Sequence, residues 1–163
     1  MSRLSSGITS GVLAGAAGAT ALNAFTYGLQ AVQGTPSSAT PDQAAYAVAE
    51  SVGVGVPGDA DKKQNRLEGL GPLSGYAVGL GVGAVGGALR ALGIKIPMPV
   101  APVVLGLGAM AISDSVMTAL KITDPRTWTA TSVLRDALPH LVYGGVTVLA
   151  LHRMLDPHTV QVP

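Results

Sequence analysis

Asp114 is the residue whose type and position most need a chemical explanation. It is the only Asp, Glu, Lys or Arg between Lys95 and Lys121, in a run rich in Val, Leu, Ala and Gly. In a helix it would lie about 10 Å along the axis from Lys121. An ionisable group at that depth of an apolar helix is costly in lipid and faces a bundle interior or a wet cavity. Gly108, Ala111, Ser115 and Thr118 share its arc, a small and polar groove for another helix. His140 and Asn23 are its candidate partners. With Ser115 and Tyr143 they form an expected polar intramembrane layer of Asn23, Asp114, Ser115, His140 and Tyr143. Such a layer serves a proton relay, an ion or solute site, or an interhelical hydrogen bond that fixes packing. An acid/base pair acting on lipid would need Asp114 and His140 within about 3.2 Å, directly or through one water.

Other chemistries lack their residues. There is no Cys, hence no disulfide, thiolate nucleophile or Cys-ligated metal. His140, His152 and His158 have no metal-ligand spacing, so no metal is expected. No GxSxG, SxxK or P-loop pattern occurs. Gly79-Leu80-Gly81-Val82-Gly83 looks like part of a nucleotide fingerprint but lies inside an apolar span. No catalytic residue and no cofactor is assigned, and the expectation is a protein that is not an enzyme. The formal net charge of +1 gives no electrostatic footprint for nucleic acid.

The glycines form the most regular pattern. Gly71, Gly75, Gly79, Gly83 and Gly87 recur at every fourth position, and Gly7, Gly11 and Gly15 do the same near the start. In lipid, helices gain little from burying apolar side chains, and close backbone contact supplies the attraction instead. These rows read as glycine zippers, glycine row against glycine row, between the first and second spans. Gly81 lies off the row, so the second span is expected to touch more than one neighbour.

The elements that must carry these residues follow from charge spacing. No Asp, Glu, Lys or Arg occurs between Arg3 and Asp42, Glu68 and Arg90, Lys95 and Asp114, or Asp136 and Arg153. A helical span needs about 20 mostly apolar residues. Four spans are expected, at about 8–32, 73–89, 100–120 and 138–155. The uncharged stretch at 8–32 runs beyond a signal-peptide core of about 7–15 residues, so it reads as a retained span. Thr40-Pro41-Asp42-Gln43 starts a short amphipathic helix over 41–52. Asp124-Pro125 starts another over 125–137, with Trp128 at headgroup level and Thr129, Ser132, Arg135 and Asp136 facing water. His152 and His158, near Arg153 and Asp156, read as membrane-exit residues.

The whole chain, 1–163, reads as one all-α integral membrane domain: a four-span transmembrane helical bundle with two short amphipathic interfacial helices. Its low charged fraction of 12% and mean hydropathy of +0.44 agree with lipid as the solvent. All six aromatics, Phe25, Tyr27, Tyr46, Tyr76, Trp128 and Tyr143, fall toward the side of the two long links, called the loop side. Six Lys or Arg lie on the loop side and four on the terminal side, where Arg90 and Lys95 are close to span ends. Orientation stays open.

Leu134-Arg135-Asp136-Ala137-Leu138-Pro139 followed by His140-Leu141-Val142-Tyr143-Gly144 resembles the segment opening the last span of small integral inner-membrane proteins of the YagU type. That resemblance implies a multi-pass protein of the bacterial plasma membrane and carries no established activity. The leading expectation is a structural or accessory bundle. The alternative is an oligomeric channel or proton-linked small-solute transporter using Asp114. The expected partner is the lipid bilayer, with a homo-oligomer or other membrane subunits as candidates.

Overall fold

The structure is a computed structural model that describes residues 2–155. His158, one of the two expected membrane-exit residues, and its neighbour Asp156 lie outside the described residues. Within them the chain forms α-helices and one 3₁₀ turn, with no strand. Helix α1, Arg3–Gln33, starts where the Ser2 side chain accepts from the Ser5 N–H. It stops at Gly34, whose left-handed φ of 63° returns an N–H to the Gln30 carbonyl. Helix α2, Thr40–Ser51, has Pro41 in its first turn, where a missing N–H costs least. Helix α3, Ala60–Ala91, is capped by Asp59, which accepts from the Lys62 N–H. Helix α4, Ala101–Ala119, follows a turn through Gly93 at φ 87°. Helix α5 is Ala130–Leu155. Thr129 and Ser132 cap it reciprocally, each side-chain oxygen accepting the other's N–H, at 3.1 and 2.9 Å.

The helix that carries the span expected at 73–89 is not confined to those residues: α3 begins at Ala60 and holds Pro72 inside it. Asp59 is the stronger start signal, and one proline leaves the helix running while its neighbours hold it. Nor is 125–137 a separate interfacial helix. Only Pro125–Thr127 forms a 3₁₀ turn, capped by Asp124, and the rest belongs to α5. Pro139 is buried inside α5 rather than starting it. There packing outweighs the lost backbone hydrogen bond.

Helix α1 packs mainly on α3 and α5, and α4 mainly on α5, while α2 lies on α3. Small residues make these crossings. A Cβ added at Gly7 would meet the Ala91 Cβ and the Gly87 carbonyl oxygen at 2.6 Å. One at Gly11 would strike the Gly83 carbonyl, and one at Gly15 the Gly79 carbonyl. These antiparallel pairs bring backbone to backbone. Two members of the α3 row behave differently. Gly71 faces Pro41 and Asp42 of α2, and Gly75 faces open space. Each four-residue step turns a helix by about 400°, so the row drifts off the α1 contact toward its loop-side end. A second glycine crossing joins α4 and α5, where Gly106 meets the His140 carbonyl and Gly144 the Pro102 carbonyl. Gly18 ties α1 to α5 at Tyr143 and Thr147.

The distribution of side chains is inverted relative to a water-soluble domain. The buried positions are largely Gly and Ala, and the largest fully buried side chains are Tyr143 and Thr147. Meanwhile Leu73 is 62% exposed, Val85 59%, Leu149 51% and Ile112 48%. Among the described residues three helices, α1, α3 and α4, are long and apolar enough to cross a membrane.

Candidate functional site

Helices α3 and α4 meet at Gly86 and Leu105, near the turn that joins them, but share few other contacts. On the loop side they leave a cavity of about 870 Å³, lined by segments of all five helices. Its wall carries four acidic residues, Asp42, Glu68, Asp114 and Asp136, against one arginine, Arg135. Asn23, Tyr27, Trp128 and His140 complete the part of the wall that can do chemistry.

The Gly106–Gly144 crossing positions the innermost acids. Asp114 follows Gly106 by the same number of residues as Asp136 precedes Gly144, so in an antiparallel pair the two come opposite each other. Both carboxyls line the same cavity. His140 sits one helical turn from Asp136. Its Nδ1 lies 2.8 Å from the Asp136 carbonyl oxygen and 3.3 Å from Oδ1 of the same residue. A carbonyl only accepts, so Nδ1 carries the proton, and a neutral ring keeps its lone pair on Nε2.

The rim is built on the charged first half of α3. Gln64 donates to Asp42 Oδ2 at 3.3 Å and to Glu68 Oε1 at 3.2 Å, holding the two outer carboxylates with one amide. The Lys63 ammonium lies 4.1 Å from the centre of the Tyr46 ring, a cation–π contact that pins α2 on α3. Gly71 lets the start of α2 approach closely enough to place Asp42 on the wall. Beside the cavity, the Tyr76 hydroxyl is 3.3 Å from Thr20 Oγ1.

The structure sorts the expected polar layer. Asn23, Asp114 and His140 share this one cavity. Ser115 does not join them, because it is exposed on the outer face of α4. The arc of Gly108, Ala111, Ser115 and Thr118 is not a helix-packing groove: Ala111 is exposed and Gly108 has open space beside it. The packed face of α4 is instead Ala101, Leu105, Gly106 and Ala109. Tyr143 is also outside the cavity. It is 1% exposed and donates to the Gly79 carbonyl at 2.6 Å, a clamp between α5 and α3. Ser132 and Arg135 are exposed, as expected, and with Asp136 they also line the open cavity. Asp42, Glu68 and Asp136 were missed as site residues. For Asp136 the signal was its spacing of one turn before His140, obscured by ending one element at 137 and opening the next at 138. Comparison with protein-family models, curated proteins and solved structures finds no match for this chain.

Proposed function

We propose that the chain is a four-span protein of the bacterial plasma membrane whose loop-side cavity binds a small organic cation, exchanged for a proton at the Asp114–Asp136 pair. The excess of carboxyls over Arg135 on the wall carries this reading. A positively charged solute compensates the acids, and Trp128 and Tyr27 offer ring faces that attract cations. The cavity is within the range of about 300–1,000 Å³ typical of small-molecule sites. It is far larger than an inorganic ion requires.

In the proposed mechanism a proton held on one of the two facing carboxyls, Asp114 or Asp136, leaves when the cation enters, so one positive charge replaces another. The Nε2 of His140 is the nearby acceptor for that proton. Helix α5 is the fourth span, tolerating His140 because its ring faces the cavity. The glycine rows act as zippers that hold the helices rigid around the site. A purely structural or accessory role is the second reading, favoured by the backbone contacts of Gly7, Gly11 and Gly15.

Trp128 is the chain's single tryptophan and lies on the wall, so it reports directly on occupancy. Titration of detergent-purified protein with aromatic quaternary ammonium compounds is expected to change its emission saturably. Neutral and anionic analogues of the same shape are expected to leave it unchanged. Equal responses to all three charge types, or none to any, would refute the cation reading and leave the structural one.

A further inference from the structure

The ring of long helices is closed on three sides and open on the fourth. Helix α1 packs on both α3 and α5, and α4 packs on α5, but α3 and α4 touch over little more than the end next to their connecting turn. Gly75 and Gly86 of α3 are eleven residues apart. They therefore share a face of the helix to within about 20°. A Cβ added at Gly86 would find Leu105 and Leu151 at 3.5 and 3.6 Å, whereas one at Gly75 would find nothing within 4 Å. The α4 side opens in the same way. Ile112 and Val116 each fall within about 20° of the face that carries Leu105. Leu105 is buried, while Ile112 and Val116 are 48% and 41% exposed. The two helices part over about 16 Å toward the loop side, at 1.5 Å per residue.

This gap leads into the cavity. Ser74 and Gly75 of α3 and Met110, Ser113 and Met117 of α4 line the cavity along it. The Ser74 hydroxyl donates to the Gly71 carbonyl at 2.6 Å, so it is satisfied within its own helix. Helix α2 lies on α3 rather than across the gap. The links after α1 and α4 border the cavity at its loop-side end, through Ser38, Thr123 and Trp128. The gap faces sideways, at the depth of α4, whose 19 residues match the thickness of a hydrocarbon core.

We propose that the cation enters the cavity sideways from the bilayer, through the gap between α3 and α4, and that the substrates are amphipathic: a quaternary ammonium head bearing an alkyl tail. The head reaches the carboxyls of Asp114 and Asp136, and the tail stays between Gly75, Met110 and Met117 or in the lipid beyond. Unbranched thioether side chains adapt to tails of different shape. Entry from lipid spares the tail a passage through water, where exposed apolar surface is costly. The inference deepens the cation reading of the same cavity and rests on it and on the membrane placement.

The test uses the full chain in phosphatidylcholine nanodiscs, with Trp128 emission followed during titration by tetramethylammonium or octyltrimethylammonium. The wild-type chain is expected to bind both, the octyl ion at least tenfold more tightly. Gly75→Leu fills the gap at a position with open space. It is expected to weaken the octyl ion at least tenfold more than the tetramethyl ion. Partition of the octyl ion into lipid is common to the two proteins and cancels in that comparison. Equal weakening of the two ions, no change in either, or an octyl ion that binds the wild-type chain no more tightly would overturn sideways entry and leave the cation reading intact. Binding of neither ion to the wild-type chain would remove the cation reading, and sideways entry with it. Should Gly75→Leu fail to fold, the Gly75→Cys variant is labelled with a lipid-soluble maleimide. The octyl ion is expected to slow that labelling at least fivefold more than tetramethylammonium does. Equal slowing by the two ions would overturn the proposal. Labelling already blocked without any cation would do the same, because a second copy of the chain would then cover the gap.

Discussion

Asp114 allows a substitution that separates shape from charge. Asp114→Asn keeps the shape but removes the exchangeable proton. It is expected to leave helix content and unfolding temperature close to wild type while abolishing proton-linked flux of a quaternary ammonium in proteoliposomes. Full flux in that variant would remove Asp114 from the mechanism. Asp59 provides a pH-dependent feature outside the spans. The Lys62 ammonium and backbone N–H hold its carboxyl below the ordinary carboxylate range. A lowered folded value means that the cap contributes fully at pH above about 4 and loses its contribution as pH falls through the folded value. A carboxyl-carbon NMR titration in micelles is expected to find Asp59 titrating below the ordinary Asp range, and titration within or above that range would contradict the cap. Asp114 was legible as a site residue because a lone acid in an apolar run is costly anywhere but a cavity. Asp42 and Glu68 were not, because solvated charges on a polar link look alike until a fold brings two of them to one wall.

At the scale of helices, the glycines separate into those that touch backbone and those that do not. Gly11 and Gly83 face each other's carbonyls, whereas Gly81 has open space beside it. Gly11→Ala or Gly83→Ala is expected to destabilise by about 1–3 kcal/mol, the usual range for overpacking. Gly81→Ala is expected to be neutral or to stabilise by up to about 0.5–1 kcal/mol through helix propensity. Reversible unfolding in mixed micelles measures all three, and equal effects at Gly11 and Gly81 would contradict the packing. The four-residue period revealed which face of α1 and α3 would meet, because a close approach needs a continuous strip of small residues. It did not reveal where that strip ends, since Gly75 and Gly79 look identical in sequence while helix drift places only Gly79 in contact. The α4–α5 crossing was harder still. It uses single glycines, Gly106 and Gly144, and a single glycine has no period. The boundary at Pro139 misled for a related reason, because proline's local cost is visible in sequence and its compensating tertiary contacts are not.

For the molecule as a whole, the packing makes sense only in a solvent that accepts leucine and valine as readily as the interior does. Gly and Ala lie inside, and the large aliphatic side chains point outward from every long helix. In water this arrangement would leave large aliphatic side chains exposed on α1, α3, α4 and α5 alike. In hydrocarbon it costs nothing, and the close backbone contacts hold the helices together. The lengths agree: α4 spans about 28 Å at 1.5 Å per residue, matching a hydrocarbon core of about 30 Å. Helix α3, at about 48 Å, extends its charged first turns beyond that core and carries α2 there. The absence of cysteine allows a direct measurement, since single cysteines introduce spin labels without background. Labels at Val85, Ile112 and Leu149 in liposomes are expected to collide more with dissolved oxygen than with a water-soluble nickel complex, and a label at Thr131 the reverse. Preferential collision with nickel at Val85, Ile112 and Leu149 would contradict the lipid-facing exterior and everything built on it.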